Sequence, residues 1–223
     1  MPSFTEENYL KAIYHLSLNG KKDVSTNELS AYFGTKASSV TDMLKKLSQK
    51  EFINYQKYQG VSLTNEGYLA AVNILRRHRI WETFLVNVLG YKWDEVHELA
   101  EELEHINDNS LIDRIHNHLG NPKFDPHGDP IPDSEGNIFS ISDLYLSNLK
   151  KGDEAEIIGV KNSSSSFLQY LDKFKIGLGT KLKVQEIHDF DNSMQILVNK
   201  DKQHSLSKQV CNNLRIAKLP KIK

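Results

Sequence analysis

Residues 25–64 read STNELSAYFGTKASSVTDMLKKLSQKEFINYQKYQGVSLT, and this stretch decides the fold. Ser25 followed by Glu28 has the spacing of a capping box, which opens a short helix that Gly34 stops. A second helix starts near Lys36 and runs to about Lys50. Its inward face is Val40, Met43, Leu44 and Leu47, spaced three and four residues apart. FINYQKYQGVSLT then alternates as two short strands joined around Gln59-Gly60. Helix, short turn, helix, hairpin is the order of a winged helix-turn-helix. One more helix precedes it, capped by Thr5, carrying Tyr9, Leu10, Ile13 and Leu16 inward and ending at Asn19-Gly20.

The helix from Lys36 presents Ser38, Ser39, Thr41, Asp42, Lys45 and Lys46 outside its apolar stripe. Small polar side chains let a helix enter a major groove closely. Ser, Thr and Asp can hydrogen-bond base edges, while lysines suit phosphates. Lys36 at the helix start, with Lys57 and Tyr58 in the wing, would add backbone contacts.

Beyond residue 64 the pattern stays helical. Thr64 caps a long helix that reaches about Leu89, where Gly90 breaks it. The next helix is expected over Trp93–Ile106, WDEVHELAEELEHI. It places His97, Glu101, Glu104 and His105 at i, i+4, i+7 and i+8, within one arc beside the apolar stripe of Val96, Leu99, Ala100, Leu103 and Ile106. RRHRIWE puts His78 and Glu82 four residues apart on the long helix. If the two helices pack antiparallel, six nitrogen and oxygen donors converge and can chelate a divalent transition metal. Apolar Trp81, Phe84, Leu85 and Trp93 are candidates for a dimer contact.

Ser110–Leu119 reads as a further helix, and 121–137, rich in Pro, Gly and Asp, as an irregular connector. His127, between Asp125 and Asp129, reads there as part of a stiffened loop, with an extra ligand as the alternative. From about Ser142, EAEIIGVK, KLKVQEIHDF and SMQILVN alternate like strands, the pattern of a small SH3-like β-barrel. Ser163–Ser166 reads as a loop, and Cys211 as a small core residue in a strand. The expected architecture is mainly α with a small β domain. A winged helix-turn-helix occupies 1–64, a helical metal-binding and dimerisation domain 65–140, and an SH3-like (FeoA-like) domain 141–223.

The net charge of −1 conceals an uneven distribution. Residues 1–79 hold 11 Lys+Arg against 7 Asp+Glu, residues 80–150 hold 4 against 14, and residues 151–223 hold 13 against 8. The basic front suits nucleic acid, and the acidic middle is repulsive unless cations occupy it. A single cysteine excludes a disulfide framework and a thiolate zinc cluster. No apolar run approaches membrane-spanning length, so a cytosolic protein with no membrane partner is expected. From the residues alone, a metal-dependent hydrolase and a metal-independent DNA-binding protein stay open beside a metal-responsive regulator.

ENYLKAIYHL, KASSVTDMLKKL, YQGVSLTNEG, RRHRIWE, EELEHI and DPHGDPIP occur in that order over residues 5–135. In this the chain resembles the diphtheria-toxin-repressor and manganese-transport-regulator family. The resemblance implies a homodimeric transcriptional repressor that binds a double-stranded operator when activated by Mn(II) or Fe(II). It also implies an ancillary metal site at His78, Glu82 and His97 and a primary site at Glu101, Glu104 and His105. Glu101 stands where iron-type members carry cysteine and manganese-type members glutamate. Asn8 stands where the family offers Met or Asp, with Glu7 beside it as a substitute ligand. Lys11 replaces the Glu of manganese-type members, and Ser163–Ser166 the ligands that an iron-type barrel lends.

Overall fold

The structure is a computed structural model that describes residues 2–20, 22–56 and 59–220; the expected wing contacts Lys57 and Tyr58 lie outside these. It divides into two compact units. One comprises Met1–His78, Glu101–Ile112 and Pro132–Ile138; the other Arg79–Ala100, Asp113–Ile131 and Phe139–Lys223.

The first unit holds α1 (Phe4–Leu16), α2 (Thr26–Phe33), α3 (Ala37–Gln49), β1 (Ile53–Gln56) and β2 (Gly60–Leu63). The strands pair antiparallel, with Ile53 opposite Leu63 and Gln56 opposite Gly60. Leu10, Ile13, Leu29, Val40, Leu44 and Leu47 are fully buried in its core. α1 starts one residue before Thr5, and its cap is Ser3. The Glu6 amide donates to Ser3 Oγ, and the Ser3 amide donates to Glu6 Oε2 at 2.8 Å. That reciprocal box needs a Glu three residues on, which Thr5 lacks. Ser25 and Glu28 make the same box on α2, and Gly34 takes the left-handed conformation that closes it.

α4 (Asn65–Asn87), α5 (His97–Leu103) and α6 (Asn109–His118) follow. Thr64 caps α4 by accepting the Gly67 amide at 3.1 Å. α5 is shorter than the expected Trp93–Ile106. At its front, residues 93–96 form a turn. The Lys92 amide donates to Glu95 Oε2, Trp93 Nε1 to Asp172 Oδ1, and Gln169 Nε2 to Asp94 Oδ2. Side chains held that way outweigh helix propagation. At the other end Glu104 and His105 sit in the turn that follows α5.

The second unit contains a five-stranded antiparallel sheet ordered β6-β5-β4-β3-β7. Its strands are β3 (Glu154–Val160), β4 (Lys181–Ile187), β5 (Met194–Val198), β6 (Lys202–Leu206) and β7 (Leu214–Lys218). Irregularities at Ile157/Gly159 and Val184/Glu186 bend it. Two short helices complete the layer, α7 (Ser165–Lys173) and α8 (Lys208–Cys211). Ser163–Ser166 is therefore the entry to a helix, with Ser164 as its N-cap, rather than a plain loop. Cys211 closes α8 instead of lying in a strand. Burial pushes its thiol up to about 12, which removes the reactive thiolate at neutral pH. A disulfide-exchange reagent should titrate no thiol in the folded chain and one per chain in guanidinium; rapid labelling of the native protein would contradict this. Among the described residues no helix is long and apolar enough to cross a membrane.

Candidate metal centre and DNA-reading face

Glu7, Asn8 and Lys11 share one face of α1, because residues three and four apart line up on a helix. Arg77 and His78 come from α4, Glu101 from α5, and Glu104 and His105 from the turn beyond it. All meet in the first unit. Glu104 is fully buried. Its Oε1 accepts from Lys11 Nζ at 2.5 Å, and its Oε2 lies 2.7 Å from His78 Nδ1. Lys11 Nζ also donates to Glu101 Oε1 at 2.7 Å, and His78 Nδ1 lies 3.8 Å from that oxygen. Glu7 Oε1 accepts from Arg77 Nη2 at 2.8 Å, and Glu7 Oε2 lies 2.6 Å from His105 Nδ1. Phe4 stacks on the His105 ring at 4.7 Å and fixes its plane. Arg77 Nε reaches the Glu104 carbonyl, so one guanidinium bridges α1 and the α5 turn.

Three carboxylates and two imidazoles, buried or half-buried, are the oxygen and nitrogen donors that Mn(II) or Fe(II) accepts. Asn8 Oδ1 adds an independent sign. It is buried and accepts no hydrogen bond among the described residues, which costs free energy unless something electropositive meets it. The donor set fits a divalent ion, with the Lys11 ammonium already among its carboxylates.

Glu82 and His97 belong to the second unit. Glu82 Oε1 lies 3.5 Å from His97 Nδ1, and Glu82 Oε2 lies 3.4 Å from His127 Nδ1. One ligand atom from each of Glu82, Asp125 and His127, all buried, can be chosen so that the three lie within 4.8 Å of one another. His127 Nε2 donates to the Trp93 carbonyl at 2.8 Å, while Asp125 Oδ1 accepts the amides of His127 and Asp129. Burial opposes protonation of His127, but its hydrogen bond to Glu82 and the charges of Glu82 and Asp125 outweigh it. They push the imidazole up to about 9. Burial, reinforced by Asp129 and Glu82, pushes Asp125 up to about 7. Asp125 was not among the expected ligands, and His127 was expected first as part of a stiffened loop, with a ligand role only as the alternative. Their signal was the DPHGD spacing, which turns a carboxylate back onto the amides that follow it and aims the imidazole inward.

On α3, Lys36, Ser38, Ser39, Asp42, Lys45 and Lys46 are exposed, and Thr41 is half-buried. Asp42 pairs with Lys45 at 3.3 Å, which offsets its repulsion of phosphate. Thr41 Oγ1 donates to the Ala37 carbonyl at 2.9 Å and keeps its lone pairs. A cleft at this face is lined by Ser25, Thr26, Asn27, Thr41 and Tyr55. The first turn of α2 thus lines this face beside the expected contact residues.

Trp93 packs against the barrel core of its own unit, so that ring has an intradomain use. Leu85 is buried, Trp81 and Phe84 are half-buried and meet edge to face, and Val88 and Leu89 are exposed.

Three family models match the chain. The iron-dependent repressor N-terminal DNA-binding domain matches residues 3–61, and the iron-dependent repressor metal-binding and dimerisation domain matches 64–133. The FeoA domain matches 144–218. An uncharacterised HTH-type transcriptional regulator of Methanocaldococcus jannaschii is 35% identical over 109 residues, covering 49% of this chain and 87% of that protein. The HTH-type transcriptional regulator MntR of Listeria welshimeri is 32% identical over 117 residues, covering 52% of this chain and 81% of that protein. A solved manganese-dependent transcriptional repressor in complex with manganese superposes with a TM-score of 0.82 at 32% identity, over 96% of this chain and all of that one. With a winged helix-turn-helix, a helical domain carrying the acidic and imidazole cluster, and an SH3-like FeoA domain, the chain belongs to the iron-dependent repressor family, the DtxR/MntR family of metal-dependent transcriptional repressors.

Proposed function

We propose that this chain is a cytoplasmic, homodimeric repressor that grips a double-stranded DNA operator when it holds Mn(II) or Fe(II), and that it controls metal-uptake genes without catalysing any reaction. Its working parts are the reader over 1–64, the metal-binding and dimerising region over 65–140, and the FeoA-like domain over 141–223. One observation carries the reading: Glu7, Glu101, Glu104, His78 and His105, drawn from three separate segments, converge on one another in the unit that also holds α3. Glu101, Glu104 and His105, with Glu7 or Asn8, would hold one ion. Glu82 and His97, with Asp125 and His127, supply a second set of donors. The absence of sulfur among these donors favours the harder ion, manganese over iron.

When bound, the ion supplies the positive charge that lets these acidic side chains stay packed. The chain's own residues do the rest. Glu7, Asn8 and Lys11 belong to the helix that packs behind α2 and α3, so whatever fixes α1 to the α5 turn also fixes the reading helix. Dimeric readers of this class depend on a set spacing between their two reading helices. Trp81, Phe84, Val88 and Leu89, an apolar stretch in and just after α4, offer the second copy a docking surface, while Leu85 is buried beneath it. Ser38, Ser39 and Thr41 face bases, and Lys36, Lys45 and Lys46 face phosphates.

Calorimetry with Mn(II), Fe(II) and Zn(II), paired with operator binding by the metal-free and loaded protein, tests the reading. Equal operator affinity in both states would make the chain a metal-independent DNA-binding protein. The loaded protein's affinity should fall linearly in log[salt]. Lys46→Ala should lower that slope by about one and weaken all sequences alike, whereas Ser39→Ala should leave the slope unchanged. A slope that Lys46→Ala does not move removes that lysine from the interface.

A further inference from the structure

Lys11 is an ammonium inside a cluster of metal donors. It is 6% exposed and lies 2.7 Å from Glu101 Oε1 and 2.5 Å from Glu104 Oε1. Glu104's other oxygen faces His78, while Glu7 is held by Arg77 and His105. Both oxygens of Glu7 and of Glu104 are thus engaged by the chain's own groups. Glu7, Glu101 and Glu104 carry three negative charges, and Lys11 and Arg77 two positive ones, so with neutral imidazoles these five groups sum to −1. Adding a divalent ion to all five leaves +1 in a place where four of the groups are buried and only Glu101 reaches solvent. Removing the ammonium as the ion arrives leaves zero. A buried net charge is expensive, so the exchange is the favoured course.

We propose that Lys11 is a tethered competitor for the metal: its ammonium holds Glu101 and Glu104 in the metal-free protein and withdraws when a divalent ion takes those carboxylates. The inference rests on the reading of this cluster as the metal centre. Two consequences follow. In the metal-free chain Lys11 offsets only part of the repulsion among Glu7, Glu101 and Glu104, so α1 is held to the α5 turn less firmly than an ion would hold it. Metal affinity is also lowered by the ion pairs that must first break, which raises the concentration at which the sensor responds.

The test uses the full chain and its Lys11→Met and Lys11→Arg variants, with Mn(II) alone as the probe. Calorimetry should show Lys11→Met binding Mn(II) at least about ten-fold more tightly than the parent, the low end of what a close charge pair contributes. Lys11→Arg, which keeps the charge, should stay near the parent. In the unaltered protein, amine acetylation read by peptide mapping should find Lys11 protected without metal and several-fold faster to label at saturating Mn(II). The labelling needs no variant, so it decides the matter even if Lys11→Met fails to fold. A folded Lys11→Met variant with equal or weaker Mn(II) affinity overturns the competitor role and leaves the metal centre standing. So does Lys11 labelling that Mn(II) does not change. No Mn(II) uptake by any of the proteins overturns the metal centre and this inference together.

Discussion

Glu104→Ala should abolish metal-dependent operator binding. Measured by fluorescence anisotropy in excess Mn(II), the variant's affinity should drop to that of the metal-free parent, a loss on the order of 100-fold or more. The reason lies in how much one side chain connects. Glu104 is fully buried, and its two oxygens join Lys11 of α1 to His78 of α4. Truncation removes a donor and also leaves the nearly buried Lys11 ammonium with one carboxylate instead of two. Breaking a buried pair from one side typically costs about 3–5 kcal/mol, because the surviving charge is left underpaired. The variant should therefore also unfold at lower urea. Glu104→Gln separates the two effects, since it keeps the volume and an acceptor oxygen while discarding the charge. It should recover much of the stability and little of the metal response. Parental operator affinity in Glu104→Ala with Mn(II) would exclude Glu104 from the switch.

The winged helix-turn-helix was legible because its signals are local: the capping-box spacing of Ser25 and Glu28, a Gly stop, and an apolar stripe on α3. The donors of the metal cluster were legible as residue types at helical spacing, but not their partners. Helical spacing shows that Glu101, Glu104 and His105 face one way, yet Glu104 and His105 sit past the end of α5, where the turn aims them at α1 and α4. Lys11 read as a departure from a ligand pattern. Only the packing of α1 against the α5 turn, some ninety residues away in sequence, makes it an ion-pair partner. His127 shows the same limit, since a histidine among prolines and aspartates gives no sign that Glu82 waits beside it. In the barrel, β6 escaped notice because KQHSL buries little besides Leu206. Helix α7 was hidden behind a run of serines, although Leu168 and Leu171 already stood three apart.

Gly67→Ala should be the most damaging single methyl in the reading unit. Gly67 lies in the first turn of α4, and a Cβ there would sit 1.8 Å from the Phe52 carbonyl oxygen and 2.8 Å from its carbon. Those are backbone atoms and cannot swing aside as a side chain would. They are also held in place. Phe52 O accepts the Thr64 amide at 3.0 Å, and the preceding Glu51 carbonyl accepts Thr64 Oγ1 at 2.7 Å. The link between α3 and β1 is thus clamped to the start of α4, and only a residue without a Cβ lets the two backbones approach that closely. Alanine must push α4 outward or break the clamp. The helix preference for alanine over glycine, about 1 kcal/mol, works in the variant's favour but is too small to compensate. The net loss should reach at least the ~3 kcal/mol at the top of the usual overpacking range. Because α4 also carries Arg77 and His78, its displacement should weaken Mn(II) binding in whatever fraction stays folded, which a buried-core truncation such as Leu29→Ala should not do. Urea unfolding and Mn(II) calorimetry on both variants measure the difference. A Gly67→Ala protein as stable as its parent would mean that the clamp between Phe52 and Thr64 yields at little cost, and that α4 is free to shift where its contacts here say it is not.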